Sequence, residues 1–111
     1  MSSMKLMLQK KSAIAALDAK AEEASRLLTV MANAKRLMVL CNLLDGEKSV
    51  GELAEIVDLS QAALSQHLGK MRALELVETR RDGQTIYYRL ASKEAREVLE
   101  TLYRLYCAPQ C

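Results

Sequence analysis

The sequence predicts a mainly helical domain that carries one β-hairpin. Its 111 residues suffice for one domain, and half of them are hydrophobic although Trp and Phe are absent. An aliphatic core favours helices, and one Pro with four Gly leaves too few turns for an all-β sandwich. Apolar residues recur at helical spacing along most of the chain and change to a strand-like pattern only between residues 76 and 90.

The N-terminal part of the chain predicts a flexible start and one long helix. Residues 1–11 are rich in Met and Lys and lack a capping residue, so we expect a flexible basic extension before a folded domain over residues 12–107. A helix is predicted from Ser12 to about Met31, because apolar residues recur at three- and four-residue steps. These are Ile14, Leu17, Ala21, Ala24, Leu28 and Met31.

The next two predicted helices are short and begin at capping residues. Asn33 is a good N-cap for a helix over about residues 34–44. Ser49 caps the third helix, and Glu52 three residues later completes a capping box. This third helix is expected to stop near Asp58.

A fourth helix and a hairpin follow. Ser60 caps this helix, which runs to about Leu74. Residues 76–80 and 84–90 have strand-forming composition, and Asp82-Gly83 between them is typical of a tight hairpin turn. Two short helices joined by a brief turn and followed by a two-stranded ribbon predict a winged helix-turn-helix, a fold that binds DNA.

A last helix closes the predicted domain. It runs from Ser92 to about Cys107, and Pro109 ends it within a short tail over residues 108–111. No apolar run approaches the roughly 18 residues of a membrane span, and charged residues interrupt the apolar N-terminus, which argues against a secretion signal. We therefore expect a cytoplasmic protein with no membrane partner.

The fourth helix has the two faces that a helix in the major groove needs. Leu64, Leu68 and Met71 share one side, and small polar residues that can pair with base edges lie opposite. Ser60 at the N-terminus favours a phosphate oxygen, whereas His67 flanks the core side and could cap a neighbouring element or reach a phosphate. The candidate DNA-binding residues are Ser60, Gln61, Ala62, Ser65, Gln66 and His67 on the helix, with Arg80, Arg81 and Gln84 on the hairpin.

Charge and cysteine content add weaker indications. The formal net charge of +2 is too small to indicate a nucleic-acid partner, but basic residues gather over residues 60–89 while residues 45–59 are acidic. Cys41, Cys107 and Cys111 form an odd set, which without a secretion signal predicts reduced thiols. Their function would be redox or metal chemistry.

Five segments of the chain resemble the ArsR-type winged-helix repressors. The resemblance runs from about residue 22 to residue 107. It implies a homodimer that forms through the first and last helices and that releases double-stranded operator DNA when an inducer acts. The five segments are Ala34–Leu37, Ser49–Leu53, Leu59–Leu68, Leu76–Arg81 and Gln84–Leu90.

The resemblance also narrows the range of inducers to which the protein could respond. Arsenic-type sites of this family use a cysteine pair that residues 52–58 lack, and zinc-type sites need a His that the last helix lacks, so neither a metal nor a cofactor is expected. Leu37–Cys41 and Leu102–Cys107 resemble the persulfide-responsive subgroup typified by SqrR, BigR and HlyU. This implies that Cys41 and Cys107 react with persulfides or polysulfides, forming a disulfide or longer sulfur bridge that derepresses sulfide-detoxification genes.

Three alternatives stay open. Cys41, Cys107 and Cys111 could serve a metal or peroxide sensor of the same fold. A thiol oxidoreductase would belong to another class, but the sequence has neither a C-x-x-C at a strand-to-helix junction nor a Gly-rich cofactor loop, so we do not expect an enzyme. An anti-silencing regulator of the same fold would activate genes by displacing another DNA-binding protein.

Overall fold

The computed structural model describes residues 3–107 as six helices and one small antiparallel sheet. This order confirms the mainly α winged helix-turn-helix with its hairpin wing. The predicted tail, residues 108–111, lies outside the described residues. The elements are α1 (Ser3–Ala19), α2 (Ala21–Met31), α3 (Ala34–Asn42), β1 (Lys48–Ser49), α4 (Val50–Val57), α5 (Gln61–Ala73), β2 (Val77–Asp82), β3 (Thr85–Leu90) and α6 (Lys93–Tyr106).

The N-terminal region differs from the predicted flexible start and single long helix. Helix α1 begins at Ser3, and a break at Lys20 separates it from α2. Residues 3–11 contain no Gly or Pro and consist mostly of strong helix formers, so the missing cap does not prevent a helix. At the break, the Lys20 N–H donates to the carbonyl of Leu17, three residues back, and the chain leaves the helical conformation.

The predicted N-caps are confirmed, and they fix where the helices of the DNA-binding unit begin. Each capping side chain accepts a hydrogen bond from the backbone N–H three residues later. The reciprocal bonds between Ser49 and Glu52 complete the capping box. Asp58 ends α4 with a φ of 57°, and this left-handed residue turns the chain towards α5. The caps are Asn33, Ser49, Ser60 and Ser92.

The sheet contains a strand that the sequence pattern did not predict. Its order is β1-β3-β2, and the two residues of β1 pair with Tyr87 and Tyr88 of β3. Two residues are too few to show a strand periodicity. Asp82 pairs with Thr85, so the hairpin turn is Gly83-Gln84, one residue later than the predicted Asp82-Gly83. Gly83 has a φ of +64°, the left-handed conformation that a tight hairpin turn requires.

The core is aliphatic, as the composition predicts, with Tyr88 as its buried aromatic residue among those described. Arg36 is buried among these side chains with 9% of its surface exposed. The core packs α3, α4, α5 and α6 against one another and against the base of the hairpin. Its members are Met31, Val39, Leu40, Leu43, Leu53, Ala54, Val57, Leu64, Leu68, Met71, Leu76, Val77, Tyr88, Ala95 and Leu99.

Candidate nucleic-acid interface and thiol pair

Helix α5 presents a small polar surface to solvent. Its apolar side is anchored in the core by Leu64, Leu68 and Met71, all of them at most 2% exposed. The opposite side carries predicted base-reading residues, which are all exposed. Side chains of this size and polarity leave the helix free to approach a groove closely. The exposed set on that side is Ala62, Ser65 and Gln66, while Gln61 is exposed in the first turn and Ser60 is the N-cap.

His67 lies differently from the rest of the predicted DNA-binding set. Its ring is partly buried, and Nδ1 is 3.1 Å from Nη1 of Arg36 on α3. A guanidinium only donates, so Nδ1 accepts and the ring is neutral in this pairing. Burial, followed by the charges of Arg36 and Lys70, lowers the pKa of His67. Of the two roles that the sequence left open, the geometry favours contact with a neighbouring element.

Arg36 joins three helices through this contact. Its Nε donates to the carbonyl of Val30 near the end of α2 at 2.6 Å, while Nη1 meets His67 on α5. Its backbone N–H donates to the side chain of Asn33. The guanidinium therefore links the position of α5 to that of α2 and α3.

The positive charge of Arg80 on the wing is paired with a carboxylate, which the sequence did not predict. Arg80 pairs with Glu47 through two hydrogen bonds, and its guanidinium carbon lies 4.6 Å from the ring centre of Tyr87. Arg81 and Gln84 are exposed near the turn. Sequence reasoning missed Glu47, because the two partners are 33 residues apart and meet only through the unpredicted strand β1.

The two cysteines of the described region lie close together. Cys41 is half-buried on α3, and Cys107 is exposed at the end of α6. Burial raises the pKa of the Cys41 thiol, and the neighbouring charge of Cys107 raises it further. Lys35 and Arg104, the basic residues that sequence reasoning considered as thiolate partners, hydrogen-bond instead to the carbonyl of Val57 and to Thr101.

Neither a metal centre nor a membrane span is found in the described part of the chain. Between residues 3 and 107, no three His, Cys, Asp or Glu side chains cluster in a way that could hold a metal ion. No helix within that range is long and apolar enough to cross a bilayer. Cys111, the third cysteine of the alternative sensor, lies outside the described residues.

Large apolar side chains are exposed on α1, α2 and α6. A shallow groove of about 430 Å³ lies along α2 beside Leu17 of α1 and is lined mostly by apolar and small residues. A monomer seldom leaves so much apolar surface in water. The exposed residues are Ile14, Leu17, Leu28, Tyr103, Leu105 and Tyr106.

A capped polar helix after a short turn, followed by a charged two-stranded wing, defines the class of winged helix-turn-helix DNA-binding regulators. The sequence pattern of bacterial regulatory proteins of the arsR family matches residues 33–79. Together with relatives that are at least 44% identical over more than two thirds of the chain, this match shows that the chain belongs to the ArsR family of transcriptional regulators.

Relatives extend the similarity over most of the chain. The transcriptional activator HlyU of Vibrio cholerae is 54% identical over 81 residues, which cover 73% of this chain and 75% of that protein. A biofilm growth-associated repressor of Agrobacterium fabrum is 44% identical over 95 residues, covering 86% of this chain and 81% of that one. The structure of reduced HlyU from Vibrio cholerae matches with a TM-score of 0.78 at 49% identity, over 82% of this chain and 96% of that chain.

Proposed function

We propose that the protein is a homodimeric repressor that binds operator DNA and is released when Cys41 and Cys107 react with a persulfide or polysulfide. The observation that carries the sensing step is the placement of Cys41 on α3 and Cys107 at the end of α6, where the charge of Cys107 raises the pKa of the Cys41 thiol. The regulated genes would be those of sulfide detoxification, and the protein would act in the cytoplasm, where its operator lies.

The proposed DNA contacts are divided between α5 and the wing. Ala62, Ser65 and Gln66 face the base edges from the exposed side of α5, and Gln61 projects from its first turn. Ser60 and the first turn of α5 meet a phosphate, because backbone N–H groups and the helix dipole favour an anion there. The wing residues Arg80, Arg81 and Gln84 lie beside the neighbouring backbone or minor groove.

The proposed dimer covers the exposed apolar side chains of α1, α2 and α6. These helices lie outside the helix-turn-helix unit of α4 and α5, so a second copy can pack on them while both recognition helices stay open to DNA. Burying such side chains supplies the free energy of association. The two-fold axis of the dimer would then place one recognition helix on each half of a palindromic operator.

The proposed sulfur chemistry uses the exposed thiol first. The Cys107 thiolate attacks the outer sulfur of a persulfide RSSH, which forms a Cys107 persulfide and expels the thiolate RS⁻. The Cys41 thiolate then attacks the inner sulfur of that persulfide and expels HS⁻, which closes a disulfide. If both cysteines are first persulfidated, loss of H₂S leaves a trisulfide. Each bridge joins α3 to the end of α6.

The bridge would act on DNA binding through the helices that it joins. Helix α3 carries Cys41 and also Arg36, whose guanidinium hydrogen-bonds His67 of α5. Helix α6 carries three of the exposed apolar residues of the proposed dimer surface. A shift of α3 relative to α6 therefore changes the placement of each recognition helix within the dimer.

The test begins with an operator duplex selected from a random library by the reduced protein. Its fluorescence anisotropy is followed while glutathione persulfide, oxidised glutathione or hydrogen peroxide is added. We expect release by the persulfide, and we expect Cys41→Ser and Cys107→Ser to stay bound under the same treatment. Equal release by peroxide, or release only on adding Zn²⁺, would favour the peroxide- or metal-sensing alternative.

The relative named as a transcriptional activator supports a second candidate role. A protein of this fold can raise transcription by displacing another DNA-binding protein from a promoter. Transcription in vitro from the selected operator, with purified polymerase and no other DNA-binding protein, separates the two. Repression under these conditions supports the repressor, and the absence of repression supports the anti-silencing regulator.

A further inference from the structure

We propose that Glu47 restrains Arg80 and so weakens DNA binding, acting as an intramolecular competitor for the phosphate that Arg80 would contact. This inference rests on the proposed function, because it requires the wing to lie against a duplex. Glu47 lies outside the hairpin and would nevertheless help to set the affinity of the wing for DNA.

The sheet brings the two partners together from distant parts of the chain. Ser49 pairs with Tyr87 across one ladder, and Tyr87 pairs with Arg80 across the other. Residues two apart on a strand share a face, so Glu47 lies on the same side of the sheet as these three. Arg80 then reaches over the Tyr87 ring to the carboxylate, with Nη2 at 2.5 Å from Oε1 and Nε at 3.3 Å from Oε2.

A DNA phosphate would need the same donors of Arg80. Carboxylate and phosphate oxygens both bind the fork of a guanidinium, and here Glu47 occupies Nε and Nη2 together. The hydrogen bond from Arg80 lowers the pKa of Glu47, so the competing group stays charged at neutral pH. Both side chains are partly open to solvent, with 53% of Arg80 and 36% of Glu47 exposed, so an incoming phosphate can displace the carboxylate.

A second ion pair on the same face provides a matched control. Arg89 on β3 donates to Glu78 on β2 through Nε and Nη2. This pair lies on the same face of the sheet as Tyr87. It lies two ladder positions farther from the hairpin turn, at the base of the wing. Glu78→Gln changes the net charge as Glu47→Gln does, but it leaves Arg80 restrained.

The test compares Glu47→Gln and Glu78→Gln with the wild type on the selected operator duplex and on a random-sequence duplex of equal length. Anisotropy is measured across a range of salt concentrations. Glu47→Gln should tighten binding to both duplexes by about three- to eightfold at 0.1 M salt, because Arg80 no longer has to leave a carboxylate before it contacts the phosphate. The log–log salt slope should stay close to that of the wild type, because the same phosphate contact forms in both proteins. Glu78→Gln should change affinity by less than about twofold.

A double-variant cycle shows whether Glu47 acts through Arg80. In an Arg80→Gln background, Glu47→Gln should have no more effect than Glu78→Gln has in the wild type. Thermal unfolding, followed by circular dichroism, checks that all variants fold alike. Unchanged or weaker binding by Glu47→Gln, or a full effect without Arg80, would overturn the inference while leaving the proposed function intact. Wild-type protein that binds no duplex would overturn both.

Discussion

Arg36 and His67 show how one buried contact connects the DNA-binding surface to the rest of the domain. Within the described residues the Arg36 guanidinium, at 9% exposure, has no carboxylate partner, so its charge is stabilised by the Val30 carbonyl and by the Nδ1 lone pair of His67. The ring must stay neutral to accept this bond. His67 thus links α5 to Arg36 on α3.

Replacing His67 by Gln should flatten the dependence of stability on pH. Because the pKa of His67 is lowered from 6.5 in the folded protein, the unfolded chain takes up the proton first. Wild-type stability is therefore highest above about pH 6.5 and falls as the pH drops below it. Gln keeps an acceptor for Arg36 and does not titrate. Urea unfolding at about pH 7.5 and 5.5 measures the difference, and equal losses in both proteins would contradict the assignment.

Gln66 should contribute to operator specificity. An amide can form two hydrogen bonds with an adenine edge, and such a pair is worth about 1–3 kcal/mol against the wrong base. Gln66→Ala should therefore lower the ratio of operator to random-duplex affinity by about tenfold. Arg81→Ala is the comparison, since loss of a phosphate contact weakens both duplexes alike. If Gln66→Ala weakened binding to both duplexes equally, Gln66 would contact the DNA backbone and not a base edge.

At the scale of elements, capping residues decide where the DNA-binding helices begin. Ser60 satisfies the N–H of Ala63 at 3.1 Å, and Ser49 with Glu52 does the same for α4. Asp58 lies between α4 and α5, and its left-handed conformation sets the turn that joins them. These caps and this turn fix the first turn of α5, where the proposed phosphate contact lies.

Ser60→Ala should lower both stability and DNA affinity. Loss of an N-cap costs about 1 kcal/mol of folding free energy and frees the first turn of α5. Ser92→Ala removes the equivalent cap of α6 and serves as the control, because it lies away from the proposed DNA interface and at the opposite end of α6 from the exposed apolar residues. We expect similar losses of stability from the two variants in urea unfolding, with weaker operator binding from Ser60→Ala alone. Equal affinities would contradict a phosphate contact at this helix start.

The sequence predicted those features of the elements that depend on neighbouring residues. Helical periodicity and caps located the helices from α3 to α6, and the Asp82-Gly83 pair located the hairpin to within one residue. The features that the sequence did not predict depend on contacts between residues that are far apart along the chain. The strand β1 forms only because β3 is there to pair with it. The contact between Arg36 and His67 spans 31 residues, and no local pattern signals it.

At the scale of the whole molecule, the two surfaces of the domain have different chemistry. The side formed by α5 and the wing is polar, whereas α1, α2 and α6 expose large apolar residues. The thiol pair lies between α3 and the end of α6. In the proposed mechanism a sulfur bridge at that position joins α3 to the end of α6, whose exposed apolar residues belong to the proposed dimer surface.

Leu105→Asp should shift the protein from dimer to monomer. Its side chain is 68% exposed on α6, so the monomer loses little on substitution, whereas a dimer would bury the new charge. Ile56→Asp, at a side chain on α4 that is 48% exposed, is the control. Sedimentation equilibrium should show at least a tenfold weaker dimer for Leu105→Asp and an unchanged one for Ile56→Asp. A wild-type monomer, or equal effects of the two variants, would exclude this interface.

The intact mass of the protein after treatment with glutathione persulfide tests the central claim most directly. We predict that each chain loses two hydrogens, with or without the gain of a sulfur atom, and that peptide mapping places the bridge between Cys41 and Cys107. Cys41→Ser should retain added sulfur on Cys107 without forming that bridge. No change in mass, a bridge between two chains, or a bridge that uses Cys111 would contradict the proposed dithiol sensor.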